Sequence, residues 1–186
     1  IDASIVVESH DAFKCGYNSP VPKPNPFVEE LKESRPIILD GGLATELEAQ
    51  GAVLHPTLWS AGLLHSDPEA IISASYQATQ KGLMTLGLSA AEADALIVRS
   101  VKLADEARAR FLAAYPDIDR RILVAASIGP YGAALHDGSE YVGAYSVSTS
   151  ALRDFHVRRL ELLDASGADV LACETIPDYQ EAVVLG

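Results

Sequence analysis

ILVAASIGPYG at residues 122–132 and ADVLACETIP at residues 168–177 decide the fold of this chain. Each is a short apolar run that ends in a polar residue and a turn. Continuous apolar runs, without polar alternation, suit strands covered on both faces, as in parallel sheets. Between them Leu152, Phe155, Arg159, Leu160 and Leu163 recur at helical spacing, and Gly167 closes the stretch. Strand, helix, strand predicts a parallel pair joined by a helical crossover.

Working outward toward the N-terminus, Ser89-Ala90-Ala91-Glu92 reads as a capping box. Behind it Leu96, Ile97, Val101, Ala104, Phe111 and Leu112 predict a long amphipathic helix reaching about Tyr115. Residues 36–39 read as another buried strand, closed by Asp40-Gly41-Gly42, and residues 45–50 as a short helix stopped by Gly51. Ser66-Asp67-Pro68-Glu69 is a helix start, yet residues 70–76 behind it are β-like, so a start signal lacks its helix. Residues 19–27 hold four prolines in nine positions, which blocks regular helix and central strand and predicts a linker or poorly ordered arm. Toward the C-terminus, residues 133–147 read as a loop and residues 177–186 as the opening of a helix.

Alternating strands and helices with buried strands give an α/β class. No G-x-G-x-x-G follows the first strand, which weakens a dinucleotide-binding reading. Polar residues recur at the C-terminal strand ends: Asp40, Ser73 and Ser75, Ser127, Glu174. In barrels those ends build the active site, so a barrel segment is favoured over an open sheet. The chain has 186 residues, short of the roughly 250 of a full eight-stranded barrel.

With 26 acidic against 14 basic residues and a net charge of −12, the chain is poorly suited to nucleic acid or to an anionic membrane. Two cysteines, Cys15 and Cys173, are too few for a disulfide framework and fit a reduced, cytoplasmic setting. No stretch approaches a membrane span and the first residues do not read as a signal peptide. Position 1 is not Met, which leads us to expect a longer product.

Asp40 is either a carboxylate at a strand mouth, with Gly41 and Gly42 allowing close approach to a ligand, or a turn Asp bonding its own backbone. Glu174, at the end of an apolar run, can hold an amine, act as a base or pair with a neighbouring strand. Two carboxylates at strand ends, with no Lys beside them, suit an ammonium-bearing substrate and count against a Schiff-base lyase. Side chains alternate along a strand, so Cys173 points away from Glu174 toward the covering helices and reads as a structural thiol. Trp59, the only tryptophan, lies where it could close over a ligand, or simply packs. The five histidines form no H-x-x-x-H cluster, and His156, beside Arg158 and Arg159, reads as solvated. Tyr131 and Tyr141 flank a loop that could serve as a lid.

LDGGLATELEAQG, LWSAGLL, DPEAI, SASYQAT, SIGPYGAALHDGSEYVGAY and FHVRRLELLDASGADVLACETIP, in this order, resemble the homocysteine S-methyltransferase family from about Arg35 onward. The resemblance implies a (β/α)8 TIM barrel, here a partial one of about the first four βα units with one incomplete. It divides the chain into a Pro-rich extension at 1–34 and a truncated barrel domain at 35–186. It implies methyl transfer from S-methylmethionine or S-adenosylmethionine to homocysteine, giving methionine, with zinc holding the homocysteine sulfur as a thiolate. Asp40, Gly41, Trp59, Ser73 and Glu174 match substrate positions, Ser73 standing where Thr is expected. The family's helix between DPEAI and SASYQAT is missing, which accounts for the orphaned start at Ser66. The family's zinc cysteines lie later than the chain's end and Cys173 matches none of them. No bound zinc and no activity of this chain alone are therefore expected. The alternative is a non-catalytic fragment that binds or dimerises.

Overall fold

The computed structural model describes residues 75–186, together with Pro26, Lys32, Glu48, Ala49, Gly51 and Val53. The strand expected at 36–39, the helix start at 66–69 and most of the proline-rich stretch lie outside the described residues. Pro26 is helical although four prolines argued against helix there. Gly51 has φ 89° and its N–H donates to the Glu48 carbonyl at 2.9 Å, the left-handed stop expected of a glycine after a helix.

The described body has a parallel pair of strands and four helices. Helix α1 spans Gln80–Met84 and is capped by the Thr79 hydroxyl, which accepts from the Gly82 N–H at 3.0 Å. At five residues it is too short to leave a periodic signature in the sequence. Helix α2 spans Ala90–Ala114. Its capping box is formed: Glu92 N–H donates to Ser89 Oγ, and Ser89 N–H donates to Glu92 Oε2 at 2.8 Å. Such a cap contributes about 1 kcal/mol. Strand β1 is Ala125–Ile128, helix α3 Thr149–Ala165, strand β2 Val170–Cys173 and helix α4 Tyr179–Leu185. The strands are shorter than the apolar runs that announced them, and residues 75–76, expected to be β-like, form no strand.

Strands β1 and β2 run parallel, with Ala125 opposite Val170 and Ile128 opposite Cys173, and α3 makes the crossover. Alternate residues of β1 reach the core: Ala126 and Ile128 are fully buried. They meet Leu83 of α1, Ile97 and Val101 of α2, Leu152, Leu160 and Leu163 of α3 and Val184 of α4 in one apolar cluster. Each buried Leu, Ile or Val contributes about 1.5–3 kcal/mol. Phe111 and Leu112, assigned to the apolar face of α2, are instead 41% and 38% exposed. The last turns of α2 run past the buried cluster, and Phe111 stacks against Tyr115 at 4.9 Å.

Two carboxyl groups flank β2. At its start, Asp169 Oδ2 accepts from the Val124 N–H at 2.8 Å and from the Arg108 guanidinium, which also donates to the Ile122 carbonyl at 3.0 Å. This staple explains why β2 begins in register with β1. At the other end the chain passes into Glu174, whose N–H donates to the Ile128 carbonyl at 3.1 Å.

Candidate functional site at the C-terminal strand ends

Among the described residues, the polar side chains that gather at the C-terminal ends of the strands are Ser127, Glu174, Thr175 and Tyr76. Ser127 Oγ donates to Glu174 Oε1. The sequence had placed both at strand ends; the register brings them side by side, because Ser127 of β1 lies opposite Ala172, two residues before Glu174. Asp40, Gly41, Trp59 and Ser73 lie outside the described residues.

Tyr76 is the addition that sequence reasoning did not make. Its hydroxyl hydrogen-bonds the Thr175 side chain and its ring lies near the carboxyl groups of Glu174 and Glu140. Burial, reinforced by those charges, pushes the Tyr76 phenol up to about 12, so it is a neutral donor at physiological pH. The ring rests on Gly129, where an added Cβ would stand 2.6 Å from the Tyr76 carbonyl oxygen and 2.7 Å from a ring carbon. Gly129 is therefore required for its lack of a side chain. The signal available in sequence was the GPYG turn itself, since a glycine directly after a buried strand marks close approach.

Thr175, next to Glu174, has φ 56°. A β-branched residue in the left-handed region costs on the order of 1–3 kcal/mol and persists only where its surroundings hold it. Here the bond to Tyr76 helps to hold it. The same left-handed conformation recurs at His136 and Ala144 in the loop after β1.

The loop after β1 holds two 3-10 turns, Tyr131–Ala134 and Ser139–Tyr141. Tyr141 is exposed, whereas Tyr131 packs edge-on against Tyr145 and Phe155. The loop is tied down: Ala144 N–H donates to Asp178 Oδ2 at 3.1 Å, while Asp178 Oδ1 caps α4 by accepting from Glu181 N–H at 3.0 Å. A free lid is not what this geometry describes.

His156 corrects the sequence reading. It is fully buried, not solvated, and so is Glu181 of α4; Arg159 is 3% exposed. Leu152, His156, Arg159, Leu160 and Leu163 fall on one helical face, so the spacing that found the leucines also located His156. Its neighbours Arg158 and Arg159 misled because they share a charge but point to different faces. Burial pulls the His156 pKa down, and burial lowers Arg159 to about 10, which still leaves a cation at neutral pH. Cys173, half-buried, packs against the core on the side of Arg159. Among the described residues, no group of three or more His, Cys, Asp or Glu side chains converges to hold a metal ion.

The profile of the homocysteine S-methyltransferase family matches residues 69–185. The homocysteine S-methyltransferase of Escherichia coli is 46% identical over 176 residues, covering 87% of this chain and 56% of that protein. The homocysteine S-methyltransferase YbgG of Bacillus subtilis is 46% identical over 175 residues, with 85% and 56% covered. The chain thus spans about half the length of the curated relatives it matches. In three dimensions it is similar to the crystal structure of the metallated form of the homocysteine methyltransferase MmuM of Escherichia coli, with a TM-score of 0.75 and 45% identity over 83% of this chain and 59% of that one. The oxidized form gives a TM-score of 0.76. On the sequence match and the shared α/β fold, the chain belongs to the homocysteine S-methyltransferase family.

Proposed function

We propose that this chain carries the homocysteine-binding part of a homocysteine S-methyltransferase, and that Glu174 holds the ammonium group of the substrate. The observation that carries the reading is the carboxyl group of Glu174 at a strand end, fixed through one oxygen by Ser127. Among the described residues it has no cationic partner. A substrate ammonium would supply the charge that a half-buried carboxyl otherwise lacks. In this proposal Asp40, Gly41, Trp59 and Ser73 complete the pocket in a partial (β/α)8 barrel, and the protein works in the cytoplasm.

The chemistry suits such a pocket. The homocysteine thiol gives up its proton, and the thiolate sulfur attacks the methyl carbon of a sulfonium donor, S-methylmethionine or S-adenosylmethionine. A new sulfur–carbon bond forms as the old one breaks. One negative and one positive centre become two neutral thioethers, methionine being one of them. Holding the two partners in line accounts for much of the acceleration open to the protein. Zinc, when bound, would lower the thiol pKa in this reading; the described residues offer no ligand set that fits it.

The test is calorimetric titration of the chain with homocysteine, paired with an assay for methionine formation. Glu174→Ala should weaken homocysteine binding at least about tenfold, the loss of one charge-assisted contact. Unchanged affinity in that variant would remove Glu174 from the site.

A further inference from the structure

Beneath the strand ends lies a chain of buried polar groups that the proposed chemistry does not use. Arg159 of α3 donates from Nη1 to the Tyr76 carbonyl at 3.1 Å and from Nη2 to the Gly129 carbonyl at 2.6 Å. The same Nη2 lies 3.0 Å from His156 Nδ1. On the far side of the imidazole, Nε2 lies 2.7 Å from Glu181 Oε1, which also accepts from the Tyr131 N–H at 2.6 Å.

The direction of every bond follows from one fact: a guanidinium has only donors. Nδ1 of His156 must therefore accept, the ring proton must sit on Nε2, and Nε2–H must donate to Glu181. The imidazole is a neutral bridge between a buried cation and a buried carboxyl. A second ring proton would set donor against donor at Arg159. Burying such groups costs several kcal/mol unless they are paired. Among the described residues, Arg159 Nε and Glu181 Oε2 are left without a hydrogen-bond partner, so the geometry of the network rests on the bonds through Nη1, Nη2, the imidazole and Oε1.

What it fixes is the mouth. Its three backbone contacts are Tyr76 and, at the start of the loop after β1, Gly129 and Tyr131. The Tyr76 carbonyl also accepts from the Gly129 N–H at 3.2 Å, and the Tyr76 ring reaches Thr175 beside Glu174. We propose that Arg159, His156 and Glu181 are positioning residues, a hydrogen-bonded relay that sets Tyr76 and through it the Thr175–Glu174 strand end. The relay stands on geometry alone; only its effect on ligand rests on the homocysteine reading.

Arg159→Lys is the discriminating variant, because one ammonium keeps the charge but cannot span two carbonyls and an imidazole as the planar fork does. Amide hydrogen exchange in the full chain should lose about tenfold protection at Gly129 and Tyr131, while Ile97 and Val101 in α2 keep theirs. Equal loss in α2, or none at Gly129, overturns the proposal. If the variant does not fold, nitrogen NMR of the unaltered protein still decides: His156 must carry its proton on Nε2 with Nδ1 bare, and a proton on Nδ1 overturns the relay. Homocysteine affinity should fall about tenfold in Arg159→Lys; unchanged affinity overturns the positioning role. If the unaltered chain fails to bind homocysteine, the functional reading falls, and the exchange pattern and the imidazole tautomer still decide the relay.

Discussion

The two ends of strand β2 each carry a carboxyl group, yet they are built for different ends. Asp169, at the start, takes both the Arg108 guanidinium and the Val124 N–H on one oxygen, Oδ2, so it ties α2, β1 and β2 together. Glu174, at the finish, is held by a single hydroxyl and stands among the neutral side chains of Tyr76 and Thr175 with another carboxyl nearby. The same functional group serves as a staple where a guanidinium and a backbone N–H meet it, and as a candidate binding group where, among the described residues, no cation does. In parallel α/β proteins the amino-terminal ends of strands carry stability and the carboxy-terminal ends carry sites. The proposed site at Glu174 would follow that division across one strand.

The largest effect expected follows from that contrast. Asp169→Ala removes two charge-assisted bonds and strands the Val124 N–H, and should lower the unfolding free energy by about 2–4 kcal/mol. Glu174→Ala should leave stability within about 0.5 kcal/mol, as for a residue whose bonds the fold does not depend on. Urea denaturation of the two variants against the unaltered chain measures both. Similar losses in the two would erase the distinction between the ends.

Much of this architecture was legible in the residues. Ser89 and Glu92 announced the start of α2, and two apolar runs announced the parallel pair, because caps and strand cores are local signals. Glu174 was legible as a site candidate because a carboxyl at the end of an apolar run is anomalous by itself. His156 was not read correctly, since burial is decided by the face of a helix and not by the charge of its neighbours. Tyr76 and Gly129 could not have been paired from sequence; their contact spans the β1 end and a segment more than fifty residues earlier, and only the fold sets that distance. The strain at Thr175 is likewise a backbone property that no residue type announces.

Acid should separate the two ends further. Burial holds the folded-state pKa of His156 below the ordinary 6.5 of an imidazole, and Arg159 beside it acts in the same sense against the opposing pull of Glu181. The unfolded chain then takes up a proton as pH falls through about 6.5, while the folded chain resists it. The stability contribution is fully present above that pH and is lost below it, with a slope of up to about 1.4 kcal/mol per pH unit for one proton. Denaturation curves at about pH 7.5, 6.5 and 5.5 should show the decline, and His156→Gln should flatten it. Exchange protection should fail first at Gly129 and Tyr131, above the relay, and last at Val124, beside Asp169. A His156→Gln variant as acid-sensitive as its parent would assign the slope to other groups.

The smallest effect marks what a charge pair contributes when it belongs to neither end. Arg158 Nη2 meets Asp94 Oδ2 at 2.5 Å between α3 and α2, and Asp94 Oδ1 accepts from Gln80 Nε2 at 2.7 Å. The Arg158 side chain is 52% exposed, so water competes for its charge. A double-mutant cycle with Asp94→Ala and Arg158→Ala should give a coupling of about 0.2–1 kcal/mol, falling toward zero near 1 M salt, where screening acts within a few ångströms. Asp169 and Arg108, whose side chains are both about four-fifths buried, should keep most of their coupling in the same salt. If the two pairs lose coupling in parallel, the staple at the start of β2 is no stronger in kind than a surface contact, and the asymmetry of the strand must rest on the hydrogen bond to Val124 instead.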